Sequence, residues 1–299
     1  MTQPDHPDHH DRSDHPDHAG TWHAGERAMQ QRLGVAERMA EVGPRVIRDF
    51  MPDQHREFFG QLPFVVVGSV DDRGDAWATL LTGAPGFMRS PDPRTLTIAT
   101  QAAHGDPASE GLADRRSIGL LAIEPPTRRR NRMNGTISSS SERGFAVRVE
   151  QSFGNCPKYI HPHEFVATTH SRPATFESIA GLDARARAQI ATADTFFVAS
   201  YVTSQVDVSH RGGPVGFVQV EPGGSLTIPD YAGNRFFNTL GNILVQPKVG
   251  LLFVDFDTGE RLQLSGDAEL IETGDARLAS LHGAERAWSF QPRRCVRSS

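Results

Sequence analysis

The alternation of apolar and polar positions divides the chain into a helical lead and two long strand-rich stretches. Over residues 25–42, "GERAMQQRLGVAERMAEV" places Met29, Leu33, Ala36, Met39 and Ala40 on one face at the spacing of an amphipathic helix. Pro44 and Pro52 then divide "PRVIRDFM" and "PDQHREFF" into short helices, each opening on a proline whose fixed φ suits a first turn. At Pro63 the period changes. "FVVVGSVDDRGDAWATLL" is rich in β-branched residues around a "DDRG" turn and predicts a hairpin, and "PRTLTIAT", "IGLLAIEPP" and "FAVRVEQSF" continue as strands. A polar connector follows Phe165, and "GLDARARAQIATAD" predicts a helix with Asp183 as its N-cap. The second strand-rich region holds "TFFVASYV", "VGFVQVEP", "GSLTIPD", "KVGLLFVDF" and "ERLQLSGDAELI".

These two regions are copies of one pattern. A shift of 131 lays "VVVGS" (65–69) on "FFVAS" (196–200) and "GLLAI" (119–123) on "GLLFV" (250–254). A shift of 130 lays Gly86-Phe87 on Gly216-Phe217 and "LTI" (96–98) on "LTI" (226–228). Each copy carries about six short strands and no long internal helix, which suggests a small antiparallel barrel. The expected fold is mainly β with helical additions (α+β): two tandem six-stranded antiparallel β-barrels packed as a pseudo-dimer with a groove between them. The segments expected are a tail over 1–24, helices over 25–61, the first repeat over 62–160, a connector with a helix over 161–193, the second repeat over 194–275 and a tail over 276–299.

The copies diverge after "LTI". The second reads "PDYAGNRFFNTLGNILVQPKVGLLF" where the first reads "ATQAAHGDPASEGLADRRSIGLL". Asn234, Arg235, Asn238, Thr239 and Asn242 stand opposite His104, Gly105, Ala108, Ser109 and Leu112, so the second copy alone gathers a guanidinium with amide and hydroxyl donors at a helix start. A phosphate needs that set: a planar cation, neutral donors and free backbone N–H groups. An Asn-capped surface helix with a solvated arginine is the plainer alternative. In "TRRRNRMNG", Arg128, Arg130 and Arg132 share one face if the segment is a strand, because side chains alternate. Three guanidiniums there suit a second anion, such as a phosphorylated substrate or a nicotinamide nucleotide, or else a solvated strand edge.

Composition narrows the function. The 299 residues are 37% hydrophobic and 22% charged, with net charge -5, which gives no electrostatic case for nucleic acid. No apolar run approaches the roughly 20 residues of a membrane span, and the polar start is no signal peptide, so the expected location is cytoplasmic. Six of the 13 histidines fall in the first two dozen residues, a segment expected to be disordered, with weak metal binding as the alternative. Only Cys156 and Cys295 are present, so no disulfide framework is expected. "QSFGNCPKYIHPHEF" gathers Cys156, Lys158, Tyr159, His161 and His163 on a loop, yet it completes neither a redox pair nor a metal site. No catalytic residue and no metal ligand is assigned.

The stretch "SHRGGPVGFVQVEPGGSLTIPDYAGNRFFNTLGNILVQPKVGLLFVDF" resembles the FMN-binding split-barrel proteins related to pyridoxamine 5'-phosphate oxidase, and the likeness spans about residues 60–275. The resemblance implies FMN as cofactor. Ile228-Pro229 and Asn234-Arg235 match the segment that cradles its phosphate, ahead of a turn at Gln246-Pro247. Gly216, Phe217 and Val218 would lie along the isoalloxazine ring, and Arg261 matches a polar position near the flavin. The lysine of the family's basic pair is replaced by Asn234, and the residues that bind pyridoxal phosphate have no clear copy. The implied activity is an FMN-dependent oxidoreductase moving a hydride at flavin N5. A non-catalytic carrier of flavin, deazaflavin or haem is the alternative. Partners would be a small-molecule substrate and an electron donor such as NADPH or a reductase module, with a homodimer as a further expectation. Lys158 or Tyr159 would touch the ligand.

Overall fold

The computed structural model describes residues 20–163, 174–203 and 205–299. The expected Asp/His tail therefore lies largely outside the described residues.

The lead folds as α1 (Ala24–Arg32), α2 (Ala36–Val46) and α3 (Asp53–Gln61). The single helix expected over 25–42 is broken at Gly34, which takes φ +64 and reverses the chain. Pro44 does not open a helix of its own. It sits inside α2, and residues 47–52 that follow are not helical. Pro52 is the N-cap of α3, and the expected N-cap Asp183 accepts from the Ala186 amide at 2.8 Å.

The first repeat then runs β1 (Phe64–Val70), β2 (Ala76–Thr82), β3 (Met88–Asp92), β4 (Thr95–Ile98), β5 (Ser117–Glu124), β6 (Arg129–Ser141) and β7 (Gly144–Gly154). The connector holds β8 (Phe176–Ile179) and α4 (Ala184–Thr192). The second repeat runs β9 (Thr195–Val202), β10 (Gln205–Gly212), β11 (Gln219–Val220), β12 (Leu226–Asp230), α5 (Asn238–Val245), β13 (Lys248–Val254), β14 (Arg261–Ile271), α6 (Ala276–Ala279) and β15 (Arg286–Ser298). Sheet order is β2-β1-β5-β6-β7-β4-β3 in the first repeat and β10-β9-β13-β14-β15-β12-β11 in the second, with β8 added on β15. The two orders correspond strand for strand. The duplication read in the sequence is therefore a duplication of topology, with seven strands per repeat rather than six. Residues 286–298, expected as part of a tail, are β15, the counterpart of β7, paired with both β12 and β14.

Each sheet curls around its own core, one lined by Leu96, Met133 and Val147, the other by Leu226, Leu264 and Phe290. A third core joins the repeats: Val66, Leu80 and Leu121 pack with Phe197, Val208 and Leu252. Strand backbones meet closely at this seam. A Cβ on Gly119 would fall 2.9 Å from the Asp207–Val208 backbone, and one on its counterpart Gly250 would fall 2.5 Å from the Ala76 oxygen. The first glycine sits on β5 against β10, the second on β13 against β2, as a pseudo-twofold requires.

Candidate functional site

A cavity opens at the seam, beside the start of α5. Its walls come from both repeats. Arg130 and Arg132 alternate onto the face of β6 that meets β10, where Ser209, His210 and Arg211 stand. The strap Asn155–Tyr159 leaves β7 and forms the rim, with Tyr159 stacked on Tyr231 at a centroid distance of 5.3 Å. The loop 233–237, the first turn of α5 and Arg286 of β15 complete the enclosure.

One end is built by the loop before α5. Asn234 Oδ1 accepts from the Phe236 amide at 3.1 Å, which folds the loop on itself. Arg235 and Phe237 both take φ +63, a left-handed backbone that non-glycine residues adopt at an expense of about 1–2 kcal/mol each. No side chain caps α5, so its first amides keep the unsatisfied N–H groups of any helix start, and Asn238, Thr239 and Leu240 line the cavity there. Arg235 is 41% exposed and 3.7 Å from Glu285, a loose pairing that leaves its guanidinium available. Arg286 lies over the Phe237 ring at 5.1 Å and donates to Asp230 at 2.9 Å; Arg211 donates to the other oxygen of Asp230 at 2.6 Å.

The other end is buried and crosses the seam. Arg132 Nη1 donates to both carboxylate oxygens of Asp207 at 3.1 Å and to Asn238 Oδ1 at 3.0 Å. The Asn238 amide in turn donates to Glu26 of α1, whose carboxyl burial pushes up to about 8. Arg130 Nη1 donates to His210 Nδ1 at 2.8 Å, which requires that nitrogen to be unprotonated. Burial and the neighbouring Arg130 and Arg211 guanidiniums hold His210 well below the usual imidazole range, so it is neutral. Among the described residues, six cationic side chains (Arg130, Arg132, Lys158, Arg211, Arg235, Arg286) and one carboxylate, Asp230, line the cavity. The Nε atoms of Arg130, Arg132 and Arg211 and the Asn155 amide nitrogen are buried there without an acceptor. Unsatisfied buried donors of one kind at one place ask for an anion.

Of the residues expected from sequence, Phe217, Pro229, Asn234, Arg235, Asn238 and Thr239 line this cavity, together with Arg130, Arg132, Lys158 and Tyr159. The phosphate group and the second-anion group thus meet in one place. Arg128 does not join them: β6 begins one residue later, and Arg128 is exposed at φ +56. Arg261 and Asn242 also fall elsewhere. Arg261 donates to the Leu80 oxygen at 2.9 Å, and Asn242 to Ser200 at 2.9 Å. Val218 and Ile228 belong to the core of the second repeat, and Gly216 forms a turn over Ala193. Sequence reasoning missed His210, Arg211 and Tyr231, which lay in the resembling stretch without a distinguishing pattern. It also missed Arg286, in the supposed tail, and Asp207 and Glu26, which act only through partners distant in sequence. His161 and His163 both turn to Asp194, at 3.8 and 2.8 Å. Among the described residues no group of three or more His, Cys, Asp or Glu is placed to hold a metal ion. No helix among them is long and apolar enough to cross a membrane.

The pseudo-equivalent place is filled by the protein itself. Gln263, the counterpart of Arg132, donates to the Ala78 oxygen at 3.1 Å and to Asp106 at 3.0 Å. Thr79, the counterpart of Ser209, donates to the other oxygen of Asp106, and Ser69 anchors the same loop through the Ala108 oxygen at 2.9 Å. The loop that replaces α5 in the first repeat folds inward and supplies acceptors, the Asp106 carboxylate and the Ala108 oxygen, to the donors of Gln263, Thr79 and Ser69, while Gln263 Oε1 keeps no partner.

The family model of pyridoxamine 5'-phosphate oxidase matches residues 51–175 and again 182–294. No curated protein is similar enough in sequence to count as a relative. Similar solved structures include HupZ of Group A Streptococcus at 12% identity and TM-score 0.31, covering 38% of this chain and 91% of that one. HutZ, the heme storage protein of Vibrio cholerae, is 14% identical at TM-score 0.29, covering 39% and 94%. The FAD binding protein of Mycobacterium smegmatis is 15% identical at TM-score 0.30, covering 40% and 98%. Two matched spans and two identical sheet orders lead to one statement: the chain belongs to the pyridoxamine 5'-phosphate oxidase family and carries its fold twice.

Proposed function

We propose that the protein is an FMN-binding flavoprotein acting as an FMN-dependent oxidoreductase on a small-molecule substrate. The supporting observation is the cavity at the seam, with six cations against one carboxylate and buried N–H donors that lack acceptors. The donor set fits FMN. Asn234, Arg235, Thr239 and the first amides of α5 would hold the phosphate, and Phe217, Pro229 and Tyr231 offer an apolar wall for a planar ring. When bound, FMN supplies hydride acceptance and donation at N5, and the protein supplies position, charge and shielding. Tyr159 and Tyr231 stack on one another at the cavity wall. Neutral His210 and the guanidiniums around it give an end of fixed positive charge rather than an acid–base pair.

A carrier that holds flavin, deazaflavin or haem without turnover is the second reading. Haem is the less suited, because among the described residues His210 is the one histidine lining the cavity and its Nδ1 is engaged by Arg130. The flavin-loaded protein, mixed anaerobically with NADPH and then exposed to oxygen or a quinone, separates enzyme from carrier. Bleaching and recovery of the visible flavin band are expected. Bound FMN that NADPH, NADH and a reductase all leave oxidised would mark a carrier instead.

A further inference from the structure

We propose that the cavity is built for two anionic groups at once, the second of them held at Arg130; the flavin reading above enters only as the identity of the first. Every other arginine in the cavity wall faces a carboxylate: Arg132 has Asp207, Arg211 and Arg286 share Asp230, and Arg235 lies near Glu285. Arg130 faces none among the described residues. Its Nη1 is spent on His210 Nδ1 at 2.8 Å, its Nη2 on the Cys156 oxygen at 2.6 Å, and its Nε is buried without an acceptor.

The surroundings do not neutralise it. His210 accepts through Nδ1 and is itself uncharged, so it contributes no counter-charge. Burial, with repulsion from Arg132 and Arg211 added to it, brings its pKa down to about 9, still protonated at neutral pH. Arg130 is half-buried with its Nε enclosed, and a partly desolvated charge without a counter-charge is unfavourable unless something completes it. Lys158 on the rim and the acceptor-free Asn155 amide nitrogen beside it extend the same donor surface from the strap. An oxyanion, carboxylate or phosphate, is the chemistry that this set completes. Two sources could provide the negative charge: an acid group on the substrate, or the ring of the reduced flavin.

The test uses the full chain, wild type beside Arg130→Gln and Arg235→Ala. In the FMN-loaded protein, inorganic phosphate is titrated by calorimetry and by perturbation of the flavin spectrum. If the source is the substrate's acid group, phosphate binds saturably and Arg130→Gln weakens it at least tenfold. If the source is the flavin ring, phosphate does not bind to the loaded protein. Arg130→Gln then lowers the midpoint potential, by about 30 mV for each tenfold loss of preference for the reduced form in a two-electron couple. Arg130→Gln that alters neither phosphate binding nor the potential overturns the proposal. Should wild-type protein bind no FMN, the flavin reading falls alone, and phosphate titration of the FMN-free chain decides this one. Two phosphates, one lost in each variant, sustain it; a single phosphate lost only in Arg235→Ala overturns it. Thermal unfolding of Arg130→Gln guards against misfolding, and removal of an uncompensated, partly desolvated charge is expected to leave Tm unchanged or raised.

Discussion

Glu26 is 5% exposed and reads the pH from inside the protein. Its carboxyl is raised from 4.5 to about 8 by burial, whereas burial lowers His23 and His55 from 6.5 to about 4. Between about pH 4 and 6.5 the unfolded chain takes up the protons that these two imidazoles refuse, so they make stability rise with pH. From 4.5 to about 8 the folded chain keeps a proton on Glu26 that the unfolded chain releases, so this group makes stability fall with pH. Each group contributes about 1.4 kcal/mol per pH unit across its window. Two imidazoles outweigh one carboxyl below 6.5, and Glu26 acts against no such opposition above it. Thermal unfolding is expected to peak near pH 6.5 and decline toward 8, and Glu26→Gln should remove the decline. A variant that keeps the wild-type slope would exclude Glu26 as its source. Such a group was not singled out from the sequence, where nothing marks Glu26 apart from the other charged residues of the lead helix. Asn234 and Arg235 were legible for the opposite reason: the repeat supplied an internal comparison in which their counterparts are His104 and Gly105.

Among the elements, the strands that make the seam show what a pattern can and cannot carry. The two "GLL" motifs aligned at a shift of 131 mark β5 and β13, and their glycines are where each strand crosses the other repeat at backbone distance. Gly119→Ala and Gly250→Ala are each expected to cost about 1–3 kcal/mol by overpacking. Gly154→Ala, whose Cβ would meet nothing nearer than 3.6 Å, is the neutral control. Equal Tm values across the three variants would contradict the seam. β15 was lost to sequence reading because α6 and a turn at Gly283 separate it from the repeat, and its "AWSFQPRRCVRS" alternates weakly around Pro292. With it went Arg286. β6 reads as an arginine-rich run rather than an apolar alternation, since its side chains serve the cavity and the seam as well as the core. The lead helices were legible as helices but not in their bounds, because Gly34 ends one and Pro44 is accommodated within the next.

At the scale of the whole molecule, duplication makes two equivalent places and divergence leaves one of them open. Beside the first repeat Asp106 accepts from Thr79 and Gln263 and leaves over an acceptor, Gln263 Oε1, whereas beside the second Arg130, Arg132 and Arg211 leave cationic donors unsatisfied. The fold alone would have allowed a ligand at each. That difference between the halves is the central claim, and titration of the purified full chain with FMN tests it most directly, followed by quenching of flavin fluorescence. The account predicts saturation at one FMN per chain, with Arg235→Ala weakening binding by about 10- to 100-fold, the loss expected for one charge-assisted phosphate contact of about 1.5–3 kcal/mol. Two FMN per chain, no saturable binding, or an Arg235→Ala variant that binds as tightly as wild type would contradict it.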